Sequence, residues 1–222
     1  SDAILILYLK KTSGSSPYDG FYIIKINKIC LHIRYICGII FQEHFWRFHD
    51  FMKGWLSSMN DFIKNIISRA SVKKYKPDGV PGEYIDEIIE AGLWAPSGMN
   101  RQSPIIVAVT DKETRDRLSA ANAAVMGMNG DPFYGAPVVL VVLADKSCPT
   151  HVYDGSLAME NMLLAAHSLG LGGCWIHRAK EVFDKPEWKK WLSDIGVKGD
   201  YEGIGNCIVG YPDGEPKPRS TR

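Results

Sequence analysis

Cysteine is scarce and badly spaced for a scaffold. Five occur in 222 residues, Cys30, Cys37, Cys148, Cys174 and Cys207, an odd number with wide gaps and no CxxC pair. This argues against a disulfide framework and a four-cysteine zinc site, and fits the reducing cytoplasm as the expected compartment. An excess of one charge is also missing. The formal net charge is +1, from 26 Lys and Arg against 25 Asp and Glu. Residues 1–58 hold seven basic and four acidic side chains, so +3, while residues 59–222 hold 19 and 21, so −2. The larger part therefore has no basic bias toward nucleic acid, and a local basic cluster in it would suit a small anion. Long apolar runs are lacking too. The most apolar stretch, Phe21 to Phe41, is broken by Lys25, Asn27, Lys28, His32 and Arg34. Each such charge costs a few kcal/mol at a bilayer centre, so no membrane span is expected. The order of charged start, apolar run and small-residue cleavage site that marks a signal peptide is absent. Repeats and low-complexity tracts are absent as well.

What is present divides at residue 58. Residues 1–58 are rich in Ile, Tyr, Phe, Trp and Lys without a clean period. They are read either as an extension of undefined role or as residues that owe their presence to the choice of start site. Their His32, His44, His49, Cys30 and Cys37 fit no common zinc spacing, and two cysteines are too few for a four-cysteine iron–sulfur cluster. A helical pattern is plausible from Gln42 to Asn65, with Met59 to Phe62 as a natural start of the regular part. From there the signals alternate. Val80-Pro81-Gly82-Glu83 opens a helix carrying Ile85, Ile88, Ile89 and Leu93 at helical spacing, stopped by Ala95-Pro96-Ser97-Gly98. Pro104 to Thr110 and Pro137 to Leu143 read as short buried strands. Asp111 caps a helix toward Val125, and Tyr153 to Leu169 is a long buried helix. Gly170 to Gly173 ends that helix, and Cys174-Trp175-Ile176 starts a third strand. Glu181 to Ile195 is an amphipathic helix interrupted at Pro186. Asn206 to Tyr211 is a fourth strand, followed by a Pro- and Lys-rich tail. Strands interleaved with helices indicate an α/β or α+β sandwich.

Four constellations carry chemistry, and each has a bland reading. Arg69-Ala70-Ser71-Val72-Lys73 sets two cations four apart around a hydroxyl, a donor set for phosphate or an ordinary charged loop. Pro96-Ser97-Gly98-Met99-Asn100-Arg101-Gln102-Ser103 joins a helix end to a strand start. Its amides and hydroxyls can read a heterocycle edge, though the same residues form turns. Gly170-Leu171-Gly172-Gly173-Cys174-Trp175 is not a dinucleotide-binding GxGxxG, because it follows a helix and lacks the third glycine. It serves as a helix C-cap, and its bare backbone would let a flat ring approach. Lys217 and Arg219 lie two apart in an extended segment, a cation pair or a frayed tail.

Taken together and in order, these motifs resemble the nitroreductase family over Met59 to the C-terminus. The family pattern runs Arg-x-Ser-x-Arg, Pro-Ser-x-x-Asn-x-Gln-Pro, Gly-Leu-Gly-x-x-Trp and a terminal basic pair. This chain departs at Lys73, which keeps the charge of the commoner Arg without its fork, and at Ser103, which displaces the expected Gln-Pro by one. The resemblance implies an α+β fold with a mixed central sheet flanked by helices. It implies an intertwined homodimer with FMN at the interface and NADH or NADPH as co-substrate. Carried over by residue, Arg69, Ser71 and Lys73 would bind the phosphate, ribityl and pyrimidine side of FMN. Pro96, Ser97, Gly98 and Asn100 would come from the other subunit, with Gln102 nearby. Gly172 and Gly173 would line the isoalloxazine, Lys217 and Arg219 would hold the phosphate, and Asn122 would face the flavin with its amide.

The implied reaction takes a hydride from NAD(P)H and passes it to a small acceptor such as a nitroaromatic or quinone in a ping-pong cycle. It needs no protein nucleophile, consistent with the lack of any Ser-His-Asp or Cys-His order, and no metal. Met126, Met128, Phe133 and Tyr134 are candidates for an apolar wall on the substrate side or for plain core. His177 and Arg178, after the third strand, are candidates to approach nicotinamide or substrate. His167, on the long helix, reads as a satisfied internal group. The alternatives are a specialised flavoenzyme of the same fold, such as a dehalogenase or a flavin-destroying enzyme, and a non-catalytic flavin-binding protein.

Overall fold

The computed structural model describes residues 59–216 together with the backbone of two strands, β1 (Ala3–Leu7) and β2 (Tyr22–Ile26). These two pair antiparallel, Ala3 opposite Ile26 and Leu7 opposite Tyr22. No period-2 pattern marks this pair in residues 1–58. The larger of the chain's two compact units spans 61–218. The helical pattern expected over 42–65 lies outside the described residues up to 58, and its end is helix α1 (Asp61–Ser68).

The unit is α+β. After α1 come α2 (Gly82–Leu93), β3 (Pro104–Val109), α3 (Lys112–Met126), β4 (Val138–Asp145), α4 (His151–Ser168), β5 (Gly172–Ile176), α5 (Ala179–Phe183), α6 (Pro186–Asp194) and β6 (Tyr201–Gly210). The strands order as β3-β4-β6-β5, and each neighbouring pair is antiparallel. A parallel bridge between Ser71 and Gly173 on β5 gives this sheet its mixed character.

Period-2 alternation along β4 explains why the sheet sits in the middle. Val139, Val141 and Leu143 face a core shared with Leu118, Phe133, Ile176, Phe183, Trp188 and Ile208. Val138, Leu140, Val142 and Ala144 face the other core, with Ile88, Met159, Met162, Cys207 and Val209. Both faces are covered by helices, which is why PVVLVVL is an unbroken apolar run rather than an alternating one.

Local chemistry sets the helix ends. The Asp111 carboxylate accepts from Thr114 N at 2.8 Å, the expected N-cap of α3, and Gly127 closes that helix in the left-handed region at φ 61°. Pro186 occupies the first turn of α6, so the interruption expected there is a helix start. Two strands begin earlier than expected, β5 at Gly172 and β6 at Tyr201. Among the described residues, no helix is long and apolar enough to cross a membrane.

Candidate functional site

The segment after α1 is strapped along the edge of the sheet. Val72 N donates to Gly173 O at 3.1 Å, and Lys76 N donates to Tyr211 O at 2.9 Å. In this extended stretch Val72 points into the core, while Ser71 and Lys73 face outward. The motif of two cations and a hydroxyl is thereby held against the glycine run, two stretches that lie about 100 residues apart in sequence. Tyr75, one turn on, is buried with its hydroxyl donating to Val72 O at 2.8 Å, and burial pushes its phenol well above the ordinary range.

Arg69 is the least exposed cation of this motif. Its side chain is 17% exposed and its Nε lies 3.7 Å from Glu160 Oε1 on α4. Nε is buried and makes no hydrogen bond. Beside it, burial and the positive Arg69 push the His167 imidazole below its ordinary pKa, and Ser68 Oγ and His167 Nε2 are 2.8 Å apart. His167 thus has a hydrogen-bond partner, but it is half-buried rather than internal. Burial raises the Cys174 thiol, against the opposing effects of a bond from Ser71 and of the Lys73 and Arg69 charges.

The glycines are closely packed on the side a Cβ would occupy. A Cβ on Gly172 would stand 2.6 Å from Val72 Cγ2, and one on Gly173 would stand 2.9 Å from Leu163 Cδ2. The space left by the missing side chains is filled by the protein's own packing and is closed to an incoming ring on that side.

The loop from Pro96 to Ser103 is anchored elsewhere, on Asp154 in the first turn of α4. Asp154 is only 2% exposed. It accepts from Gly98 N at 2.9 Å, Ser103 Oγ at 2.8 Å and Thr150 Oγ1 at 3.1 Å. Burial opposes ionisation, but these bonds and the nearby His151 together hold the carboxyl below its ordinary pKa. Ser97 Oγ in turn accepts from Gln102 N at 2.9 Å. Met99, Asn100 and Gln102 sit at φ 56°, 52° and 51°, a conformation L residues avoid. Met99 and Asn100 project from the surface.

Within one chain the structure does not join this loop to Arg69. Among the described residues, Ser97, Gly98, Asn100 and Gln102 share no hydrogen bond or ion pair with Arg69, Ser71 or Lys73. The loop hangs from Asp154, while the α1 end touches Leu164 and His167. Asp154 and Leu164 are separated by about 15 Å of helix at 1.5 Å per residue.

Asn122 is placed deeper than expected. It has no exposure, and its Nδ2 donates to His177 O at 3.0 Å. This bond holds the His177–Arg178 turn at the end of β5, while Oδ1 of the same amide is buried without a hydrogen-bond partner. Arg178 takes φ 77° there, and its guanidinium pairs with Glu181 at 2.8 Å. His177 itself is exposed and borders a cavity of about 610 Å³ shared with Trp175, Ser156, Lys180 and Glu202. Of the four residues considered for an apolar wall, Phe133 is wholly buried and belongs to the core, whereas Met126, Met128 and Tyr134 are exposed. Lys217 and Arg219 lie outside the described residues, as do His32, His44, His49, Cys30 and Cys37. Among the described residues, no group of three His, Cys, Asp or Glu is placed to hold a metal ion.

The profile described as "Nitroreductase family" matches residues 66–129 and 123–211, well over half the chain. The chain belongs to the nitroreductase family. An FMN reductase [NAD(P)H] of Bacillus subtilis is 30% identical over 181 residues, 69% of this chain and 67% of that protein. A Methanothermobacter thermautotrophicus protein, provisionally named NADH dehydrogenase/NAD(P)H nitroreductase, is 34% identical over 122 residues, 53% of this chain, which spans 61% of its length. The crystal structure of a nitroreductase with bound FMN from Bacteroides fragilis superposes with a TM-score of 0.66 at 28% identity, covering 74% of this chain and 96% of that one.

The stretch shared with other nitroreductases contains Arg69, Ser71, Lys73, the 96–102 loop, Asn122 and both glycines, and stops short of Lys217. Two acidic residues outside the motifs organise it. Asp154 anchors the loop, and Asp131 builds the turn before β4. An acid in the first turn of a largely apolar helix was the available signal for Asp154. Asp131, between Gly130 and Pro132, looked like any turn residue.

Proposed function

We propose that this nitroreductase-family protein is an FMN-dependent oxidoreductase that takes a hydride from NADH or NADPH and reduces a small acceptor, a nitroaromatic or quinone, in a ping-pong cycle as a homodimer. The observation that carries the reading is Arg69: a largely buried guanidinium whose Nε lacks a hydrogen-bond partner, at the start of the strap that carries Ser71 and Lys73. A buried donor without an acceptor is costly unless a ligand supplies one. An anionic flavin mononucleotide does so, and the cations offset its charge.

Bound FMN supplies the two-electron chemistry, accepting a hydride and returning the electrons. The chain's own residues bind and tune it. Arg69 holds an anionic oxygen. Ser71 would offer a hydroxyl, and the Lys73 ammonium would offset negative charge gained on reduction, which favours that state electrostatically. Lys217 and Arg219 would add to the phosphate's cations. The second copy supplies Ser97, Gly98 and Asn100, because within one chain that loop is turned away along α4. Exposed Val152, Tyr153 and Leu157 on α4, with Trp94 and Met99, give the apolar surface such a dimer would bury.

Purified protein tests this simply. Uptake of FMN with flavin absorbance, followed by bleaching with NADH or NADPH under anaerobic conditions, is the expected result. Uptake without bleaching would leave a flavin binder, and protein that takes up no FMN would remove the reading.

A further inference from the structure

Five non-glycine residues of the described chain hold a positive φ: Met99, Asn100, Gln102, Tyr134 and Arg178. Three lie in the loop already placed in the site. Such strain persists only where surrounding contacts enforce it, and it gathers at functional positions. Tyr134 is enforced unusually well. The Asp131 carboxylate accepts from Phe133 N at 2.9 Å, Gly135 N at 2.7 Å, Arg115 Nη2 at 2.5 Å and Ser119 Oγ at 2.5 Å. Asp131 O accepts from Tyr134 N at 3.1 Å, and Ala136 N closes on Phe133 O at 3.0 Å. Burial disfavours the ionised Asp131, yet these four donors outweigh it and hold its pKa low. The turn drives Phe133 fully into the core and turns Tyr134 out, at φ 53° and 38% exposed.

The Tyr134 ring does not point into empty solvent. Lys73 Nζ stands 5.7 Å from its centroid, within cation–π range. Glycine would occupy this backbone without strain, and glycine follows immediately, at Gly135 with φ 77°. Nothing in the core uses the phenol. Its exposed face lies beside the ammonium that the proposed function sets next to the cofactor.

We propose that Tyr134 is a specificity-determining residue whose ring forms one wall of the acceptor site and stacks against a planar, electron-poor π-system. This rests on the flavoenzyme reading above. The phenol face is electron-rich and complements a nitroarene or quinone ring. The Lys73 ammonium, 5.7 Å from the ring centroid, would offset negative charge gained by a stacked ligand's oxygen atoms on reduction.

The test uses Tyr134→Gly, which removes the ring and the backbone strain together, and Tyr134→Phe, which keeps the ring. Oxidised, FMN-loaded protein without nicotinamide is titrated with 4-nitrobenzamide, and binding is read from the flavin absorbance, so no turnover is involved. FMN affinity is measured separately by fluorescence quenching, and the thermal midpoint on flavin-free protein. The expected result is about fivefold weaker 4-nitrobenzamide binding for Tyr134→Gly, the size of one aromatic stacking contact. Tyr134→Phe should stay within about twofold of the parent on the same scale. FMN affinity should hold, and the midpoint of Tyr134→Gly should be no lower than the parent's. Unchanged probe binding overturns the proposal, and so does a loss of FMN affinity matching the loss of probe. If the glycine variant folds poorly, Tyr134→Asn, which tolerates this backbone, reads the same binding. Parent protein that takes up no FMN fails at the earlier step and overturns the flavoenzyme reading itself.

Discussion

Replacing Asp154 should loosen the 96–103 loop before it harms anything else. Three donors meet this carboxylate: a backbone amide and two hydroxyls, at 2.8 to 3.1 Å. Hydrogen bonds to a charged partner contribute about 1.5–3 kcal/mol each, and a buried donor left unpaired costs about 1–3 kcal/mol. The contributions overlap, because Thr150 and Ser103 share one oxygen and their hydroxyls can turn elsewhere. Asp154→Ala should therefore lose about 3–5 kcal/mol. For a unit of this size that lowers the thermal midpoint by about 6–20 °C. Asp154→Asn keeps an acceptor for Gly98 N and should lose about 1–2 kcal/mol. The sign with pH follows from the lowered pKa of the carboxyl. Stability from the ionised group is present above the unfolded-state pKa of about 4 and is lost as pH falls through the folded value. The gap between parent and Asp154→Asn should thus be full at neutral pH and close below about pH 4. Limited trypsin digestion provides the local assay, since exposed Arg101 lies inside the loop. Faster cleavage after Arg101 in the variants is expected. A parental midpoint with a parental cleavage rate would refute the role assigned to Asp154.

Three further outcomes follow from the same geometry. Arg69→Ala should weaken FMN binding about 10- to 100-fold through loss of charge-assisted bonds, read by fluorescence quenching; parental affinity would show that Arg69 does not hold the cofactor. Asn122→Leu removes the donor to His177 O and should cost about 1–3 kcal/mol. It should also speed hydrogen exchange at the amides of residues 177–179 in flavin-free protein, and unchanged exchange there would count against Asn122 as the strut of that turn. Gly172→Ala forces a methyl against Val72 and should destabilise by about 1–3 kcal/mol in chemical denaturation; a neutral substitution would mean that the strap along β5 is looser than its packing indicates.

How far the sequence could be read depended on how local each cause is. PVVLVVL announced β4 because a strand covered on both faces needs no polar positions. Asp111 announced α3 because its cap bond closes within three residues. The same local logic located the end of α2, the long α4 and the break at Pro186. The early starts of β5 and β6 were hidden by glycine. Gly172 and Gly173 read as the end of a helix, yet Val72 and Leu163 require them inside a strand. Gly203 and Gly205 weaken any strand signal, and they are there because Ala179 backbone and the Trp175 indole approach them closely. The site motifs were visible as residue types in order. Their roles were less so: Asn122 has the residue type of a ligand contact and the location of a core strut. Asp154 was missed because its partners Gly98 and Ser103 lie more than 50 residues away.

The central claim is that cations from one copy of the chain and loop amides from another converge on a single flavin mononucleotide. A crystal structure grown with excess FMN tests it most directly. The account predicts Arg69, Ser71 and Lys73 of one subunit and Ser97 and Asn100 of its partner within hydrogen-bond reach of the same FMN. A structure in which these groups stand far apart, even across subunits, or in which FMN lies away from the strap along β5, would contradict it.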